Sequence, residues 1–168
     1  KLQALQAQVL EAAEDASDLD LLGRLMLRTS ARNQLHGKVM AIEPQGRNDL
    51  IRLEVAEGVI VAAQITHDST ERLELQVGTD VVALIKAGWL DVLAIDSIET
   101  PGNNCLSGII EKILDADDGP SEVRITLPNG LILCALAEPS HLQASGLTGG
   151  KPVRVEFSPS RVLLGTPL

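Results

Sequence analysis

Glycines recur through this chain at a fixed interval, and that interval imposes two copies of one folding unit. Gly37 is matched by Gly108 at an offset of 71 (108 − 37), and Gly58 by Gly130 and Gly78 by Gly150 at 72 (130 − 58 and 150 − 78). Glycine is kept where a turn needs a left-handed backbone or where two strands approach closely, so matched glycines mark matched geometry. A one-residue change in a turn accounts for the two offsets.

Between the glycines the apolar residues alternate. Ile51, Leu53 and Val55 alternate with Arg52 and Glu54, and Val59, Val61, Ala63 and Ile65 continue after a turn at Glu57-Gly58. In the second copy Val123, Ile125 and Leu127 alternate with Arg124 and Thr126. Asn129-Gly130 makes a hairpin turn, and Val153, Val155 and Phe157 alternate with Arg154 and Glu156. A period of two means strands with one face buried. Each copy has about seventy residues and roughly five short strands, the size of a small oligonucleotide-binding (OB) type barrel. Pro101-Gly102, within 99–104, is the joint.

Ahead of the strands the period is helical. Leu2, Leu5, Val9 and Ala12 form a stripe at spacings of three and four, and Ser17 and Asp18 can cap a second stretch ending near Leu27. The expected organisation is a helical linker or dimerisation segment over 1–28, a first β unit over 29–99 and a second over 100–168. The fold class is therefore mainly β, two tandem small OB-like barrels behind a short helical lead-in. Because the chain begins at Lys1 and not at Met, a segment missing upstream is expected.

Composition excludes several functions. A net charge of −9 opposes a nucleic-acid surface on this chain, which needs clustered Lys and Arg. With one Trp, one Phe and no Tyr there is no row of rings for stacking single-stranded bases. No apolar run reaches the roughly 18 residues of a membrane span, and no signal-peptide core is present, so the expected compartment is the cytoplasm. Cys105 and Cys134 lack ligand-like spacing with His36, His67 or His141, and read as buried free thiols with no metal centre. Without paired carboxylates, or a nucleophile beside a base, an enzyme is not expected.

Three segments concentrate hydrogen-bond donors: Thr29-Ser30-Ala31-Arg32-Asn33-Gln34, Thr66-His67-Asp68-Ser69-Thr70-Glu71-Arg72 and Ile85-Lys86-Ala87. Together they resemble the oxyanion-binding elements of the Mop (molbindin) family, whose paired units form a di-Mop arrangement. The resemblance implies a molybdate or tungstate ligand, with molybdenum bound only as the oxyanion and no organic cofactor. It assigns the ligand groups to Ser30, Arg32, Thr66, Ser69, Arg72, Lys86 and the amide of Ala87.

The chemistry of these residues suits such a ligand. Molybdate accepts hydrogen bonds and donates none, so its pocket must present N–H and O–H groups and cationic charge. Ser30 and Arg32, two apart, share one side of an extended segment. Thr66, Ser69 and Arg72 step by three and align on a helical turn, which Thr66 or Asp68 would cap with amides open to an anion. Lys86 ends the apolar run Val81–Ile85, where a buried strand emerges. Trp89 reads as a packing residue, and His67 as a neighbour of the ligand groups.

The second copy departs from this pattern. Thr66, Ser69 and Arg72 correspond to Glu138, His141 and Ala144, Lys86 corresponds to Ser158, and 30–33 corresponds to Pro101-Gly102-Asn103-Asn104. The first copy is expected to bind and the second to be structural. Within the family, the helical lead-in, the two motifs and the degenerate second copy most resemble the carboxy-terminal part of ModE-type molybdate-responsive transcription regulators. That likeness implies a homodimer with oxyanion sites at the subunit interface. DNA would be reached only through a missing amino-terminal domain, and no membrane is involved. The alternative is a cytoplasmic di-Mop protein that stores or buffers molybdate.

Overall fold

The computed structural model describes residues 29–167, so the helices expected over 1–28 lie outside the described residues. The first copy runs β1 (Asn33–Gln45), β2 (Asn48–Ala56), β3 (Val59–Thr66), helix α1 (His67–Arg72), β4 (Asp80–Ile85), a 3-10 turn (Ala87–Trp89) and β5 (Asp91–Ala94). The second runs β6 (Asn104–Leu114), β7 (Ser121–Thr126), β8 (Ile132–Ala137), helix α2 (Pro139–Ala144), β9 (Pro152–Phe157), a 3-10 turn (Pro159–Arg161) and β10 (Leu163–Gly165). The fold is mainly β, in two tandem sheets, and the copies match element for element. Their offset changes in the first hairpin: Glu43 pairs with Leu50, and the equivalent Leu114 pairs with Glu122 across a longer loop.

The strands are sorted into sheets in a way that the repeat conceals. One five-stranded sheet has the order β10-β4-β1-β2-β3 and the other β5-β9-β6-β7-β8. Each copy thus gives its last strand to the other copy's sheet. Repeat and compact unit are consequently cut differently. The repeats expected from the sequence run 29–99 and 100–168. Among the described residues one compact unit holds 29–84 together with 162–167, and the other holds Ile85–Arg161. In the first unit the edge strands β3 and β10 approach each other, and in the second β5 and β8 do so, which curls each sheet toward a barrel.

Each unit has its own core, drawn from the alternating residues. In the first, Val39, Ile51, Leu53, Val61, Ala63, Val81 and Ala83 are buried. In the second, Ile110, Val123, Ile125, Leu133, Val153, Val155 and Phe157 are. Each large apolar side chain buried in this way contributes about 1.5 to 3 kcal/mol. Gly37 and Gly108 sit where no side chain fits. A Cβ on Gly37 would lie 2.5 Å from the Glu54 carbonyl oxygen, and one on Gly108 would lie 2.6 Å from Cγ2 of Ile125. Gly58 and Gly130, at φ 77° and 83°, serve the hairpin turns.

One strand departs from simple alternation. Arg154 and Glu156, expected on the polar side of β9, are 4% and 1% exposed. The connector between β5 and β6 covers them. Arg154 Nη2 donates to Glu156 Oε2 at 2.9 Å and to Ser97 Oγ at 2.8 Å, and its Nη1 donates to the Ser97 carbonyl. Glu156 Oε1 accepts from the Thr100 amide at 3.1 Å and from Asn103 Nδ2 at 3.5 Å. A buried ion pair persists only when its remaining donors and acceptors are satisfied, and here the connector satisfies them. The thiols also differ from expectation: neither is in a disulfide, but only Cys134 is buried and Cys105 is half-buried.

Candidate functional site

The α1 segment is built as a donor platform. Thr66 leaves β3 with an extended backbone and caps the helix, its Oγ1 accepting from the Ser69 amide at 3.1 Å. The same hydroxyl donates to Ser69 Oγ at 2.9 Å. The chain Ser69 N–H to Thr66 O–H to Ser69 Oγ leaves the Ser69 hydroxyl hydrogen as the outward donor, strengthened by the bonds behind it. Two amides of the first turn are already engaged, the His67 amide donating to the Arg47 carbonyl at 2.9 Å and the Ser69 amide to the Thr66 cap. Arg72, at the end of α1, pairs through Nε with Asp68 at 3.0 Å on an exposed face. Exposed i,i+4 pairs contribute only about 0.3 to 0.5 kcal/mol, so an anion can compete for this guanidinium.

His67 is more deeply engaged than the sequence suggested. Its Nδ1 lies 2.9 Å from Oδ2 of Asp49 in β2, and its Nε2 lies 3.1 Å from Oε1 of Glu71. Asp49 is 1% exposed. Hydrogen bonds from the Thr70 hydroxyl and then from His67 hold its carboxyl below the ordinary aspartate range, and the bond to Asp49 in turn raises His67 above the ordinary imidazole value.

The remaining residues form two further groups. Ser30 and Arg32 are exposed while Ala31 and Asn33 are buried, which puts the two candidate donors on one side. The Ala31 amide bonds Thr29 Oγ1 at 3.2 Å and shapes the approach to β1. In the second unit, exposed Lys86 extends over the Trp89 ring, with Nζ 5.2 Å from the centroid, a cation–π contact that the sequence reading missed. Lys–Trp at i,i+3 across a turn was the available signal. Ala87 opens that 3-10 turn, so the turn itself offers its amide no acceptor.

Thr66 and Ser69 are thus brought together, as are Lys86 and Ala87, but the first unit does not join all its candidates. Register places Thr66 beside Asn48, and Asn48 beside Gln45, the last residue of β1. Arg32 immediately precedes Asn33, the first. The two donor groups therefore sit at opposite ends of a 13-residue strand, a contour of roughly 40 Å at about 3.3 Å per residue.

The second copy uses the equivalent positions otherwise. Glu138 caps α2 without a side-chain bond, His141 Nε2 bonds the Val92 carbonyl at 2.7 Å, and Ser158 Oγ bonds Ser160 Oγ at 2.8 Å. Among the described residues, no group of three His, Cys, Asp or Glu is placed to hold a metal ion. No helix among them is long and apolar enough to cross a membrane.

Two copies of an OB-like unit, the first carrying clustered hydroxyl and cationic donors that the second lacks, define a tandem small-barrel β protein. Comparison with known proteins gives the family: residues 29–92 and 100–164 each match the TOBE domain, and the chain belongs to that family. It is 33% identical to the transcriptional regulator ModE of Yersinia pestis over 98% of its own length, and 32% identical to the molybdenum-pterin-binding protein MopA of Rhodobacter capsulatus over 95%. It spans 65% of the first relative and 61% of the second. Among solved structures, the cytoplasmic molybdate-binding protein ModG, with molybdate bound, matches at a TM-score of 0.79 and 27% identity. That match covers 84% of this chain and all of ModG.

Proposed function

We propose that this chain is the molybdate- or tungstate-sensing region of a ModE-type transcription regulator and is not an enzyme. The observation that carries the reading is the Thr66–Ser69 hydroxyl pair on α1, present in the first unit and replaced by Glu138 and His141 in the second. Ser30, Arg32, Arg72, Lys86 and the Ala87 amide complete the donor set, leaving the second copy a structural role. Six charge-assisted hydrogen bonds at roughly 1.5 to 3 kcal/mol each total about 9 to 18 kcal/mol against an association cost of about 4 to 15, a balance that reaches micromolar binding toward its favourable end.

The separation of Arg32 from Thr66 along β1 supports a pocket completed by two protomers, one giving the Ser30–Arg32 edge and the other the Thr66–Ser69 edge. Such a site couples ligand to dimer geometry, which is how a sensor transmits occupancy to a DNA-binding domain carried by the longer relatives. The ModG likeness favours a second reading, a cytoplasmic di-Mop molybdate-buffering protein. A binding stoichiometry of one anion per chain supports the sensor, and sites filled in both copies support the buffer.

The test is a titration with molybdate, with sulfate and phosphate as controls, following Trp89 emission, since Lys86 lies over the ring. A saturable response to molybdate alone is expected. By calorimetry, Arg32→Ala and Lys86→Ala should each weaken binding about tenfold to a hundredfold. A wild-type chain silent by both methods would refute the sensor.

A further inference from the structure

The Asp49–Thr70–His67 cluster lies beneath the donor platform. Asp49 comes from β2, where it pairs across the sheet with Pro44 and Ile65. Its carboxylate is buried and receives His67 Nδ1 at 2.9 Å and the Thr70 hydroxyl. Thr70 Oγ1 also lies 3.4 Å from the Thr66 carbonyl. One buried group therefore grips α1 at its first and fourth residues, on either side of Ser69.

The second copy provides a built-in control. Asp49, His67 and Thr70 correspond to Ser121, Pro139 and Leu142. All three members of the cluster are replaced together, in the copy that has also lost the Thr66–Ser69 hydroxyls. Ser121 Oγ turns instead to Asp115 in its own hairpin at 2.8 Å, and Leu142 is buried as a core residue. A helix of the same length forms at the same place without the cluster. The cluster is thus not needed to make the helix, and its presence follows the donor pair.

We infer that Asp49 is a positioning residue for the anion site, holding Thr66 and Ser69 in place through Thr70 and His67, and that His67 couples anion affinity to pH. This rests on the oxyanion reading of α1. The charged groups around His67 are Asp49 from β2 and Glu71, Asp68 and Arg72 from α1 itself. Protonated His67 is balanced by two carboxylates, at 2.9 Å and 3.1 Å, and adds one positive charge to the segment that faces the anion. Binding of a dianion then favours the protonated ring, and protonation favours binding, by the same factor.

The sign is definite. The protonated ring carries the charge that attracts the dianion, so affinity for molybdate is highest below the His67 titration, which the Asp49 contact places above that of an ordinary imidazole, and falls as pH rises through it. A charge of two acting on a charge of one across several ångströms of solvent-screened space sets the change at about threefold to tenfold.

The test measures molybdate affinity by calorimetry from about pH 6 to about pH 8.5, spanning the imidazole titration. It uses the full chain and its Asp49→Asn and His67→Asn variants, each checked for folding by thermal unfolding. The His67 ring is followed by NMR with and without molybdate. The wild type should bind more weakly at high pH, with the His67 titration moving upward on saturation. His67→Asn should bind with a flat profile. Asp49→Asn should bind more weakly throughout and return His67 toward an ordinary titration. A folded Asp49→Asn with wild-type affinity and profile overturns the positioning role while leaving the oxyanion site standing. A wild type that does not bind molybdate overturns both.

Discussion

At the level of single residues, partnership decides what a charged side chain does. Arg72 and Arg154 are both guanidiniums paired with a carboxylate, yet one pair is exposed and the other buried in its connector. Arg154→Ala strands the Glu156 carboxylate in the core and should cost about 3 to 5 kcal/mol, read as the urea midpoint. Burial pushes Glu156 up, but the Thr100 amide, Arg154 and Asn103 outweigh it and hold the group below the ordinary glutamate value. A lowered folded value means stability is fully present above about pH 4.3 and lost as acid titrates through it. Glu156→Gln should flatten that acid limb. From sequence, Arg154 and Glu156 looked like the solvent face of a strand, because alternation reports which side a residue faces and not whether a connector covers that side. His67 was set aside for a related reason. Its partner Asp49 is 18 positions away, and only the pairing of β2 with β3 brings them together.

At the level of elements, the paired glycines separate two reasons for conservative geometry within one repeat. Gly37→Ala and Gly108→Ala put a Cβ into a neighbouring strand, and backbone cannot step aside cheaply, so each should lose about 1 to 3 kcal/mol. Gly58→Ala meets nothing within 4 Å and carries only the left-handed backbone penalty of roughly 1 to 2 kcal/mol. Equilibrium unfolding of the three variants tests both figures, and a Gly37→Ala chain as stable as wild type would refute the close approach. The helices teach the complementary lesson. The three-residue step of Thr66, Ser69 and Arg72 predicted a turn capped by Thr66 or Asp68, and the turn forms with Thr66 as its cap. Two of the amides expected to face an anion are instead used by the cap itself and by the Arg47 carbonyl. Side-chain spacing was legible, whereas backbone satisfaction depends on neighbours.

At the level of the whole molecule, the exchange of β5 and β10 leaves the second unit one continuous segment but makes the first depend on a strand remote from it in the chain. Removing the residues after Arg161 takes β10 away from β4, where Leu163, Leu164 and Gly165 pair with Leu84, Ala83 and Val82. Hydrogen exchange should then show protection lost over Val82–Leu84 in the first unit while Val153–Glu156 in the second keep theirs. The opposite pattern would mean that β10 belongs with its own repeat. The same exchange explains why domain limits read from the repeat, at 99/100, differ from the compact units.

Strands, turns, the twofold repeat and the chemical asymmetry between the copies were all contained in the amino-acid order, because a period of two, a glycine at fixed phase and a missing hydroxyl are local properties. The donor segments were legible for the same reason. The partner of each strand, the lid over Arg154 and Glu156 and the grip of Asp49 on α1 belong to the tertiary structure alone. Each is a contact whose free energy exists only after chain segments distant in sequence have been brought together, and no local pattern carries it.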